Sequence, residues 1–179
     1  MFYMKTATLF YAIAIGIAGL LFSACGHKMA PATNRAAASN TSPAAQNNNT
    51  PNLADMQQDI LQYVNQYRQS IGQPALLLLP AANQQAAKHS ANMAHRLTAF
   101  GHTGFEARAA AISKSLGAAV SAAAENVALG KLTAAQAVAG WLHSPGHKKN
   151  ISGNYTYTGI GYAVDPGGII YFTQIFIQP

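Results

Sequence analysis

Two periodicities divide the chain. From Leu53, apolar residues recur at Met56, Ile60, Val64, Tyr67 and Ile71, in steps of three to four that predict an amphipathic helix stopped by Gly72. Asn52 offers this helix an N-cap, with Asp55 three residues on as the acid of a capping box. After "QPALLLLP", an alanine-rich run predicts a second helix over about 81–97. A third follows over 106–116, closed by Gly117. A fourth covers 133–142, opened by Thr133 with Gln136 and terminated by Ser144-Pro145-Gly146. Between them "AAAENVALG" reads as extended or turn-like. Near the C-terminus the helical period gives way to alternation. "YTGIGYAV" and "IIYFTQIFIQ" predict two strands joined by a turn at Asp165–Gly168. Helices first and strands last, with no βαβ alternation, predict an α+β fold with helices packed on an antiparallel sheet.

Upstream of Leu53 the pattern is different. Met1 to Lys5 gives a short positive start, and Ala7 to Leu21 is an uninterrupted apolar run. It is shorter than the ~20 residues a membrane-spanning helix needs, so residues 1–24 are predicted to be an export signal. Cys25 is the only cysteine and has no internal disulfide partner. Its setting, "LFSAC", resembles the bacterial lipobox, with Phe22 where leucine is usual. That resemblance implies lipidation at Cys25 and a membrane anchor; the alternative is a plain cleavable signal. Residues 25–52 then form the lipidated cysteine and a flexible tether, rich in Asn, Ser, Thr and Pro and too polar to fold. The folded domain is expected over 53–179.

Charge narrows the function classes. The chain has 179 residues and a formal charge of +6, yet only five acids and 9% charged residues in all. The densest basic run is Lys148-Lys149, far from the Lys/Arg stripe with interleaved aromatics of a nucleic-acid binder. No nucleic-acid partner is expected. Mild attraction to anionic envelope surfaces fits better. The chain is expected to act as a monomer.

Candidate chemistry centres on a carboxylate in an almost chargeless segment. The chain has two glutamates, Glu106 and Glu125, and Glu125 sits in "SAAAENVALG", where solubility calls for no acid. A buried carboxylate needs a partner or a proton. His102 and His147 are the candidate partners. Both lie beside glycines in predicted loops, where backbone freedom lets them be aimed. His89 and His95, six residues apart on the second helix, are expected at the surface or an interface, and His143 as a surface cap at a helix C-terminus. Trp141 reads as core, Asn126 as a backbone brace, and Glu106 as a helix-start acid. Arg108 is expected to pair locally.

"FGHTGFEARAAA", "AENVALG", "AVAGWLHSPGHKKNI", "TGIGYAV" and "YFTQIF" resemble, in order and spacing, the bacterial branch of the CAP superfamily, the SCP-like domain of cysteine-rich secretory, antigen 5 and pathogenesis-related proteins. The resemblance covers essentially all of the folded part. It implies an α-β-α sandwich and a cleft with two histidines and two acids, in which some members bind a divalent metal. His102, Glu125 and His147 match three of those positions. Ala124 replaces the glycine before the acid, and the second acid's position falls at Ser144. The implied cleft residues are therefore His102, Glu125, Ser144 and His147, with His102 and His147 as metal ligands. Glu125 either fixes an imidazole or completes the ligand set. Two imidazoles, a carboxylate and water would make a tetrahedral zinc site, or the same groups form a metal-free hydrogen-bonded network. The functional expectation is an exported, non-catalytic domain binding a small apolar, lipid-like ligand or a divalent metal, with an apolar groove between the first and fourth helices. The alternative is a metal-dependent hydrolase of the cell envelope, and no G-x-S-x-G elbow favours a serine enzyme.

Overall fold

The computed structural model describes residues 52–179. The predicted export signal, the proposed lipidation at Cys25 and all of the tether except Asn52 lie outside the described residues. The elements in chain order are α1 (Met56–Ser70), β1 (Leu77–Leu78), α2 (Pro80–Ala94), α3 (Phe105–Leu116), β2 (Ala122–Gly130), α4 (Ala134–His143), α5 (Pro145–Ile151), β3 (Tyr157–Val164) and β4 (Ile170–Gln178). The sheet order is β1-β3-β4-β2. Its three long strands are antiparallel, and the two-residue β1 adds a parallel edge that the sequence pattern does not reveal.

Alternation along β4 sends side chains to two different layers. Ile170, Phe172 and Phe176 join Met56, Ile60, Val64, Val138 and Trp141 in a core with α1 and α4. Ile175 and Ile177 face the other way, onto Ala82, Ala86 and Ile112 of α2 and α3. The result is the expected α-β-α sandwich. The facing sides of α1 and α4 are filled by buried side chains, so the apolar groove anticipated between them is occupied by the protein's own core.

Local chemistry explains most element boundaries. Asn52 does not cap α1. Its amide donates to Asp55 Oδ2 at 2.8 Å and its carbonyl accepts Ala54 N–H, which closes a turn ahead of a helix that starts at Met56. The α4 capping box forms as expected: Thr133 Oγ1 accepts Gln136 N–H, and Gln136 Oε1 accepts Thr133 N–H at 2.9 Å. Ser144-Pro145-Gly146 ends α4 and also begins α5, because proline lacks only an N–H that the first helical position leaves unpaired anyway. His147 therefore stands on a helix's first turn, not on the predicted loop.

Two close fits set the layer spacing. An added Cβ at Gly159 would come within 2.2 Å of Ala82, and one at Gly161 within 2.1 Å of Ala87. The glycines of "TGIGYAV" thus let α2 lie directly on β3. On the opposite layer, the fully buried Arg68 of α1 donates to the carbonyls of Pro74, Ile151, Gly153 and Tyr155, at 2.7–3.2 Å. This guanidinium fixes the chain that leaves α5, and burial lowers its pKa from the ordinary arginine value.

Candidate functional site

Glu125 and Asn126 are consecutive on β2, so their side chains leave opposite faces of the sheet. Together they tie both helix layers to one edge strand.

On the α2/α3 side, the Glu125 carboxylate is only 2% exposed and is gripped by Arg108 of α3. Arg108 Nε donates to Oε2 and Nη2 to Oε1, both at 2.8 Å, in bidentate geometry. The same guanidinium donates to Thr103 O at 2.9 Å and His102 O at 3.4 Å, pinning the loop before α3. Gly104, at φ +80°, turns that loop into the helix, and a Cβ there would meet Arg108 Nη1 at 3.4 Å. His102 Nδ1 donates to Glu125 Oε1 at 3.0 Å. That bond holds one edge of the ring, and 51% of the side chain is open to solvent. Glu125 accordingly takes the imidazole-fixing role of the two that the sequence left open.

His89 completes this side and corrects the expectation of a surface or interface position. It is buried on α2, and its Nε2 donates to Gly101 O at 2.8 Å, since a carbonyl can only accept. Burial lowers its pKa, outweighing the Gly101 bond, which acts in the opposite direction. Its 3.9 Å approach to Glu125 is therefore a dipolar contact of a neutral ring, not an ion pair.

On the other side, Asn126 Nδ2 donates to His147 O at 3.2 Å. Asn150 of α5 donates to Glu125 O and to Asn126 Oδ1, at 3.2 and 2.9 Å. Trp141, buried as expected, donates from Nε1 to Val127 O at 3.2 Å. Asn126 is the backbone brace its setting predicts, and what it braces is the helix carrying His147. Burial lowers the His147 pKa, and the neighbouring His102 acts in the same direction. Ser144 is half-buried at the α4–α5 junction and makes no side-chain cap bond there. His95 is exposed. His143 is exposed and donates from Nδ1 to Ala139 O at 2.7 Å in the last turn of α4.

His89 and Arg108 are the site residues that sequence reading missed. The signal was present in both cases. Arg108 falls in the stripe Phe105, Arg108, Ile112, and His89 in the stripe Ala82, Ala86, His89, Met93. A basic side chain on an apolar helical stripe calls for a buried acceptor.

The donor set tests the metal expectation. Catalytic zinc sites use three protein ligands, and here both Glu125 oxygens are engaged by Arg108, one of them also by His102. Among the described residues, no three His, Cys, Asp or Glu side chains converge as a metal cage. A resident catalytic metal does not fit these residues.

With this geometry in place, the chain can be set beside known proteins. Residues 61–176 match the family model described as CAP, the cysteine-rich secretory protein family. The chain belongs to that family. It is 45% identical over 65 residues to the uncharacterized protein YkwD of Bacillus subtilis (strain 168), a match covering 36% of this chain and 24% of YkwD. An extracellular protein containing an SCP domain from Bacillus anthracis superposes with a TM-score of 0.59 at 25% identity, over 70% of this chain and 41% of that one. An outer surface protein of Borrelia burgdorferi has the same fold, with a TM-score of 0.57 at 19% identity over 69% of this chain and 95% of that one. This chain therefore spans less than half of YkwD and of the Bacillus anthracis protein.

Proposed function

We propose that this is an extracytoplasmic domain, held at a membrane through lipidated Cys25, that binds a small apolar, lipid-like ligand at the recess around His102 and His147 without catalysis. The extracellular and outer-surface descriptions of the structural neighbours support the location. One observation carries the non-catalytic reading: Arg108 saturates the Glu125 carboxylate. A hydrolase of this type would need that carboxylate free as a general base, or free to stabilise an imidazolium as proton transfer proceeds. A bidentate guanidinium neutralises it for either task. Exposed Phe100, two residues before His102 and edge-on to Tyr171 at 6.5 Å, supplies apolar surface close in the chain to His102. Divalent metal is proposed as a secondary, exchangeable ligand of His102 and His147.

The test is lipid and elemental analysis of the full chain isolated from its own envelope. A lipid copurifying in stoichiometric amount is the expected result, with zinc uptake by the metal-stripped protein lost in the His102→Ala/His147→Ala variant. Cleavage of a peptide or ester library that Glu125→Gln abolishes, with no copurifying lipid, would overturn the reading in favour of the hydrolase.

A further inference from the structure

One end of the sandwich combines exposed apolar side chains with cations. Leu97 is 75% exposed, Phe100 49% and Leu129 43%. Phe100 and Leu129 share one surface, since Phe100 packs edge-on to Tyr171, the cross-strand partner of Leu129, and Leu97 precedes Phe100 by three residues. Around them stand Arg96, His95 and Lys131, all exposed. Arg96 and His95 line a cavity of about 430 Å³ against the β3–β4 turn, with Asp165, Pro166 and Gly167. Lys131 lies alongside Gly168 of the same turn. The one acid here, Asp165, spends Oδ1 on the N–H groups of Gly167 and Ile169. The charge balance of this end is positive.

We infer that this hairpin end is a membrane-contact surface for an anionic phospholipid bilayer. Apolar side chains of this size enter the headgroup boundary while neighbouring Arg and Lys remain among the phosphates. The entry point of the chain supplies a second, independent argument. Tyr162 Oη donates to Leu53 O, and Tyr162 lies two residues from the hairpin end of β3. The chain thus enters the fold at this same end, with 51 residues upstream of Asn52. An anchor at Cys25 would be joined to the fold at this end. His102 follows Phe100 by two residues, so docking would bring the recess to the lipid surface. The inference rests on the membrane-anchored reading above for its biological setting, but not for its physical basis.

The experiment uses the full chain with Cys25→Ser, mixed with vesicles, and an environment-sensitive dye on Ala99→Cys. A control carries the dye on Ser115→Cys, at the far end of α3. In brominated-lipid vesicles of phosphatidylglycerol and phosphatidylcholine, quenching is expected at position 99 and not at 115. It should vanish in molar salt and in pure phosphatidylcholine. Arg96→Gln/Lys131→Gln should lower the docked-to-undocked ratio about thirtyfold, and Leu97→Ser/Phe100→Ser should abolish docking with the far-UV spectrum unchanged. Equal quenching at both positions, or none at 99, overturns the inference. So does lipid-independent dye burial that rises with protein concentration, which would assign the surface to a second copy. Docking without copurified lipid would retire the ligand proposal alone; copurified lipid without docking would retire this one alone.

Discussion

The two faces of the sheet are held by different physics. The α1/α4 face is a conventional core of large side chains, with Phe172, Phe176, Trp141 and Ile60 all buried. The α2/α3 face has a small apolar cluster, in which alanines and glycines bring backbone close to backbone. Its remaining interior is polar: His89, Arg108 and Glu125, with Ser90 Oγ 2.8 Å from Thr173 Oγ1. The site sits on this thinner face. Bulk apolar burial tolerates small shifts, whereas a hydrogen-bonded carboxylate with close helix contact fixes an imidazole to one position. Apolar bulk is concentrated on one side of the sheet and geometric definition on the other.

Four variants or conditions put this contrast to the test. Arg108→Met has the largest expected effect, about 3–5 kcal/mol of stability, because it leaves Glu125 buried without its countercharge. Adding Glu125→Met should restore much of the loss, which urea melts of the two singles and the double would show as strong coupling. On the opposite face, Ile60→Ala should cost about 2–5 kcal/mol by opening a cavity. Unlike the Arg108 change, it should leave His102 chemical shifts nearly unaltered. Gly161→Ala should cost about 1–3 kcal/mol by forcing α2 away from β3, read as a lowered midpoint and weakened amide protection along α2. The smallest effect is acidification. Burial depresses the pKa values of His89 and His147 in the fold, so below the ordinary histidine range the unfolded chain binds more protons and stability falls as pH drops. His89→Gln, which keeps a donor for Gly101 O, should flatten the thermal midpoint's dependence on pH over that window.

Much of this organisation was legible in the residues. Period, caps and turn chemistry placed the four main helices and the hairpin, since each rests on local contacts. His102, Glu125 and Asn126 were marked by their surroundings, and the fold does join Glu125 to His102 and Asn126 to the helix bearing His147. What escaped notice depends on three-dimensional partners. The parallel strand Leu77–Leu78 exists only because Thr156 O and Thr158 O accept the N–H groups of Leu77 and Leu79. Pro145 looked like a terminator because the helix it opens is seven residues long, too short to show a period. His89 and Arg108 looked peripheral because alanine-rich helices give weak stripes. Their burial is decided by how closely two glycines let α2 approach the sheet.

The capped rim of β2 has a consequence for crowding. Glu125 O and Val127 O are occupied by Asn150 and Trp141, while the other border of the sheet is only two residues long. At these two positions an added strand would find the β2 carbonyl already bonded. Side chains from α4 and α5 thus stand where a neighbour's N–H groups would have to bond, a local guard on that edge that uses no charge.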